Sequence, residues 1–133
     1  MAKKDKIQYW IDLSDYDLDT AIAMLKSGRY LYVGFMCHQA IEKILKGYYS
    51  FINNEIPPFT HNLTFLSSKS GLENMMSEDQ KSLIDELEPL NIETRYPEYK
   101  ERLMTQLSDN KCVEIIEKTT ALQQWIKRKL SEK

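Results

Sequence analysis

The stretch YLYVGFMCHQAIEKILKGYYSFIN, Tyr30–Asn53, decides the fold. Leu31, Phe35, Ala40, Ile41, Ile44, Leu45, Tyr48 and Ile52 recur at helical spacing and make a wide apolar face. A helix is predicted from Arg29 or Tyr30 to Asn53. Its polar side carries His38, Gln39, Glu42, Lys43 and Lys46. His38 and Glu42 are four apart, as are Gln39 and Lys43, and Glu42 precedes Lys46 in the favourable acid-before-base order. These side chains are either ordinary helix-stabilising pairs or the lining of a binding surface. Gly34 and Gly47 each cost about 1 kcal/mol relative to alanine inside a helix. Their presence predicts a neighbouring backbone in close approach.

Outward from this helix the same period recurs. Upstream, Ile7, Trp10, Ile11, Ser14, Leu18, Ala21, Ile22 and Leu25 form one stripe, predicting a helix over Asp5–Lys26. Gly28 closes it, free to take the left-handed conformation. Asp12, Asp15, Asp17 and Asp19 crowd its polar side and read as a solvated acidic face, since one helix cannot wrap its own carboxylates around an ion. Downstream, Pro57–Pro58 forbids helix. Thr60 or Asn62 can cap a short helix through about Ser70, with Leu63, Phe65 and Leu66 inward. Ser77 and Gln80 form a capping box ahead of Leu83, Ile84, Leu87 and Leu90, and Pro89 kinks or ends that helix. The last helix is predicted from Ser108 to Leu130, with Cys112, Ile115, Ile116, Thr119, Leu122, Ile126 and Leu130 inward. Trp125 lies at its edge. Lys127, Arg128 and Lys129 suit its negative pole. The expected fold is all-α: an antiparallel up-and-down bundle of four main helices plus a short one after His61, spanning residues 1–133 as one domain.

With 133 residues the chain can bury a core of its own. The net charge of −2 argues against a broad basic surface for duplex nucleic acid. Cys37 and Cys112 have no metal-ligand spacing and read as reduced thiols, which points to the cytoplasm. No apolar run approaches the length of a membrane span, and the N-terminus lacks the apolar stretch of a signal peptide. No phosphate loop, HExxH or GxSxG motif is present, and zinc is not expected from two histidines and two unspaced cysteines. No cofactor is indicated. Tyr9, Trp10, Tyr30, Tyr32, Tyr48, Tyr49 and Trp125 are too many aromatics for one small core, which predicts a homodimer interface.

Between the helical patterns lies NIETRYPEYK, Asn91–Lys100. Pro97 restricts Tyr96 to extended geometry. Arg95 offers a planar fork of donors suited to phosphate or carboxylate. Carboxylates are plentiful around it, so a tie between helices is the competing role. His61, near a helix start, can meet an anion, although fixing the loop is the commoner task of such a histidine.

The order of these motifs resembles the HEPN family, the nucleotide-binding domain of higher eukaryotes and prokaryotes. The resemblance is carried by Tyr9-Trp10 with Asp17-Leu18 and Ala21, by Gly28-Arg29-Tyr30 through CHQAIEKILKGYY ending at Tyr49, by Pro57-Pro58-Phe59-Thr60-His61-Asn62-Leu63, and by NIETRYPEYK. Trp125-Ile126-Lys127 resembles the family's closing helix. The resemblance implies a helical bundle, usually a dimer, and frequent partnership with a minimal nucleotidyltransferase, often as a toxin–antitoxin pair. Ribonuclease members carry an arginine and a later histidine with four to six residues between them. Here Lys100, Glu101 and Arg102 follow Arg95, and no histidine occurs after His61. The resemblance therefore points to the non-catalytic branch.

The expected function is a module binding a nucleotide or a nucleotidyltransferase protein through Gln39, Glu42, Lys43, Lys46, His61, Arg95 and Tyr96, with no catalytic residue and no metal. The alternatives are a divergent metal-independent ribonuclease, with His38 or His61 as base, and a purely structural homodimer.

Overall fold

The computed structural model describes residues 3–94 and 96–131. They form six α-helices: α1 (Lys3–Lys26), α2 (Tyr30–Asn53), α3 (Leu63–Lys69), α4 (Glu78–Leu87), α5 (Pro97–Gln106) and α6 (Asp109–Ser131). Short 3-10 turns cover Leu72–Met75, Glu88–Leu90 and Ile92–Thr94, and there is no strand among the described residues.

Helix α2 is the axis of the molecule. Val33, Cys37, Ala40, Ile41, Ile44 and Leu45 are fully buried. Helix α1 packs antiparallel to it after a tight turn at Gly28, whose φ of 75° is left-handed as expected. The registers fit: Ser14 Oγ donates to the Ala40 carbonyl at 2.7 Å, and the Gly47 position lies against Trp10. A Cβ at Gly47 would stand 3.0 Å from Trp10 Cβ, and one at Gly34 would stand 3.1 Å from Leu90 Cδ1. Both glycines therefore serve close approach, but mainly of side chains rather than of the expected backbone: Leu90 and Leu107 at Gly34, and Trp10 at Gly47, where the Ile7 carbonyl is 4.0 Å away. Helix α6 lies on another side of α2 and runs in the same direction, with Cys112 near Tyr30 at one end. The short helices α3 to α5 carry the chain back between them.

Local signals act where the sequence places them. Asn62, not Thr60, caps α3, accepting from Phe65 N at 2.9 Å. Ser77 and Gln80 form the reciprocal capping box of α4. Pro89 falls in the 3-10 turn that ends α4.

Several expectations need correction. Helix α5 occupies a segment read as a connector. Tyr96 is extended as predicted (φ −75°, ψ 157°), but it serves as the N-cap, and Pro97 opens a helix. Proline is well placed there, because its missing N–H would have had no partner in the first turn. Leu103 and Leu107 anchor this helix in the core. Phe65 is exposed rather than inward, and Ile22 lies on the exposed edge of α1.

The acidic side of α1 is not simply solvated. Asp17 accepts from Lys43 of α2 at 3.2 Å, and Asp15 accepts from Lys127 of α6 at 2.6 Å. Lys127 thus ties two helices, beyond any role at the helix dipole. Buried Gln123 completes this knot, donating to Ser14 Oγ at 2.9 Å and to Asp15 Oδ1 at 3.0 Å. Burial of these polar groups is tolerated because each has a partner.

Candidate functional site

The polar side of α2 is mostly covered, and its centre is Glu42. Spacings of four stack His38, Glu42 and Lys46 on one face of the helix. Glu42 is only 2% exposed and Lys46 only 9%. Lys46 Nζ donates to Glu42 Oε2 at 3.0 Å, and the same ammonium lies 5.9 Å from the Trp10 ring centroid. The second carboxylate oxygen faces a different element. The connector after α2, turned by Pro57–Pro58 and ended by the Asn62 cap, brings His61 Nδ1 to 2.9 Å from Glu42 Oε1.

Burial alone would push the Glu42 carboxyl up. The hydrogen bonds from His61 and Lys46, with the charge of Lys46, outweigh it and hold Glu42 below its ordinary value. Glu42 is therefore a carboxylate, and His61 Nδ1 must carry the proton it shares. The opposite edge of the ring, at Nε2, is not used by Glu42, and the His61 side chain is 53% accessible.

His38 differs in kind. It is fully enclosed, and burial depresses its pKa to about 4 despite the nearby Glu42 carboxylate and His61 backbone. It is neutral at physiological pH, so its 3.9 Å approach to Glu42 is no ion pair. Its tautomer follows from its neighbours. Gln39 Oε1 accepts from Lys43 at 3.1 Å, which turns Gln39 Nε2 toward His38 Nδ1 at 3.4 Å. The proton then sits on the buried His38 Nε2.

Of the predicted site residues, the structure brings Glu42, Lys46 and His61 together. Gln39 and Lys43 form an adjoining chain that ends on Asp17, whose burial holds its carboxyl above the ordinary value even beside Lys43. Tyr96 is largely exposed at the N-cap of α5. Arg95 lies outside the described residues. Sequence reasoning missed Asp17 as the partner of Lys43. It also missed Gln123, although Gln123 stands four residues beyond Thr119 on the inner stripe of α6.

A second feature is an open groove of about 650 Å³ where the start of α1 meets the end of α2 and its connector. Ile7, Tyr9, Trp10, Ile56 and Pro57 supply apolar walls, with Lys6, Ser50, Asn54 and Glu55 as polar groups. Among the described residues, no cluster of three or more His, Cys, Asp or Glu side chains is arranged to hold a metal ion. No described helix is long and apolar enough to cross a membrane.

An all-helical module built on a central helix, with a buried carboxylate bridging a lysine and a loop histidine, defines the class. The HEPN domain family matches residues 7–129, and the chain belongs to that family. The crystal structure of TT1696 from Thermus thermophilus superposes with a TM-score of 0.78 at 20% identity, covering 93% of this chain and 98% of that one. At that identity the likeness establishes the fold alone. No curated protein matches the chain.

Proposed function

We propose that this HEPN domain is a cytoplasmic, homodimeric binding module that takes up a nucleotide, or a nucleotidyltransferase protein that handles one, at the surface around His61. One observation carries the reading: a buried carboxylate, Glu42, is kept ionised and clamps a half-exposed histidine. A buried ion pair is often no better for stability than apolar packing of the same volume, so its use here favours a role in recognition. The clamp fixes the His61 ring and leaves its outer edge for a ligand. Arg95 and Tyr96 follow in the chain as further contacts, with Arg95 supplying a fork for phosphate. Lys46 is neutralised by Glu42, so it tunes the site rather than meeting phosphate itself. Gln39 and Lys43 border it through Asp17. Pairing with a neighbouring nucleotidyltransferase in a toxin–antitoxin system is the biological setting this reading favours.

Calorimetric titration of the purified chain with nucleoside mono- and triphosphates, and with the protein encoded beside it, tests the reading. Binding should saturate, and His61→Ala or Arg95→Ala should weaken it about tenfold or more with the helical spectrum intact. Arg95→Lys should restore only part, because lysine lacks the planar fork. Full-strength binding by both alanine variants would defeat the assignment.

A ribonuclease is the second reading, favoured by the same geometry: a carboxylate-held imidazole whose second nitrogen the carboxylate does not use is what a general base requires. Only His61 qualifies, since His38 is sealed in the core. Metal-independent RNA cleavage abolished by His61→Ala would replace the binding reading with this one.

A further inference from the structure

The open groove between the start of α1 and the connector after α2 has two braced walls. On the α1 side Trp10 is held from three directions. The Tyr9 ring meets it edge-on at 5.9 Å, its Cβ lies against the Gly47 position, and Lys46 Nζ stands 5.9 Å from its ring centroid. On the other side Asn54 takes a left-handed conformation and donates its N–H to the Ser50 carbonyl at 2.9 Å. Ser50 Oγ donates in turn to the Glu55 carbonyl at 3.0 Å, and Tyr49 Oη donates to Glu55 Oε1 at 2.8 Å. Pro57, with its fixed φ, stiffens the chain that follows and lines the groove. Walls braced in this way lose little freedom when a ligand enters. At about 650 Å³ the recess is in the range of small-molecule sites.

Polar groups of the lining are left over for such a ligand. Among the described residues, Lys6 meets no carboxylate and the Trp10 indole N–H meets no acceptor. The Glu55 carboxylate meets the Tyr49 hydroxyl but no cation. The groove thus offers an aromatic wall, a cation on α1 and an anion on the connector. A purely anionic ligand would be drawn to Lys6 and repelled by Glu55, and a purely cationic one the reverse. A dipolar ligand satisfies both. We infer that the groove binds a small aromatic zwitterion, of which the free aromatic amino acids are the simplest. Its ring lies against Trp10 and Pro57, its carboxylate turns toward Lys6 and its ammonium toward Glu55. Ring against ring is favourable in offset or edge-on geometry. The charge pattern also selects the source. An aromatic residue within a polypeptide carries neither charge, because both groups are used in peptide bonds. The lining includes none of Glu42, Lys46 and His61, so this is a second site.

Calorimetric titration of the full chain with phenylalanine, phenylpropionate, phenylethylamine and the blocked N-acetylphenylalanine amide tests the inference. Phenylalanine should bind saturably. The other three lack the ammonium, the carboxylate or both, and should bind about fivefold or more weakly, the scale of an exposed ion pair. Lys6→Gln should weaken phenylalanine about fivefold and leave phenylethylamine unchanged. Glu55→Gln keeps an acceptor for Tyr49, and it should weaken phenylalanine while sparing phenylpropionate. Both variants should retain the wild-type circular dichroism spectrum. Absence of saturable phenylalanine binding overturns the inference. Equal binding of the blocked amide overturns it in favour of a polypeptide segment. Phenylalanine binding indifferent to both substitutions overturns it too, since the recess would then be apolar without charge recognition.

Discussion

Replacing Glu42 by glutamine tests whether the centre of the molecule is a buried ion pair. The change keeps the volume and one acceptor but removes the charge. Lys46 would then hold an ammonium 9% exposed, with no carboxylate at 3.0 Å and only the Trp10 ring face nearby. Breaking a buried pair from one side costs about 3–5 kcal/mol. The retained amide oxygen recovers part of that, so the expected loss is about 2–3 kcal/mol. A domain of this size is stable by about 5–15 kcal/mol, so the change removes a large share. The melting temperature should fall by about 10 °C, measured by circular dichroism at neutral pH, with urea titration giving the free energy. The double variant Glu42→Leu with Lys46→Met should recover stability to within about 1 kcal/mol of wild type, since apolar packing replaces both charges at once. If Glu42→Gln alone lies within about 0.5 kcal/mol of wild type, Lys46 reaches water and the buried-pair argument fails.

Four further outcomes follow from the packing and the titrations. His38 has a folded pKa of about 4 against an ordinary 6.5, so the unfolded chain takes up a proton that the native state declines. Stability should therefore fall as the pH drops from about 6.5 to 4, by about 1.4 kcal/mol per pH unit at the steepest. In His38→Leu, urea titrations across that range should give a flatter profile; an unchanged slope would assign the proton elsewhere. Glu42, with its pKa depressed, should add a loss at lower pH, as the pH falls from its ordinary 4.5 through the folded value. Gly47→Ala gains about 1 kcal/mol in helix propensity but sets a methyl 3.0 Å from Trp10 Cβ, which cannot move without α1. Overpacking of about 1–3 kcal/mol should win, and a neutral or stabilised variant in urea would show that α1 yields. Ser77→Ala removes the capping box of α4 and should cost about 1 kcal/mol, and a melting temperature equal to wild type would mean that the cap is idle.

Much of the fold was legible because its signals are local. The stripe of α2, the glycine turn after α1, the Asn62 and Ser77 caps and the Pro89 stop all act within one or two turns of backbone. The pairs Gln39–Lys43 and Glu42–Lys46 follow equally from spacing. Helix α5 escaped because Pro97 read as an interruption, whereas proline in the first turn begins a helix as well as ending one. Tyr99, Leu103 and Leu107 marked its inner face, too sparse a pattern to outweigh that reading.

The sequence by itself determined where the main helices begin and end, which stripe of each is apolar, that α2 needs close neighbours at Gly34 and Gly47, and that the chain resembles the HEPN family. These follow from hydrogen bonds and side-chain spacings of three and four residues, and from an ordered set of motifs. Tertiary structure alone decided what the polar side of α2 meets. A charged helix face looks the same in sequence whether water or another element covers it. Three-dimensional packing buried Glu42 and Lys46, swung His61 back across nineteen residues to the carboxylate, gave Lys43 to Asp17, and threaded Gln123 between Ser14 and Asp15. Those contacts depend on which helix faces press together and in what register, and the period of a single helix carries no record of that choice.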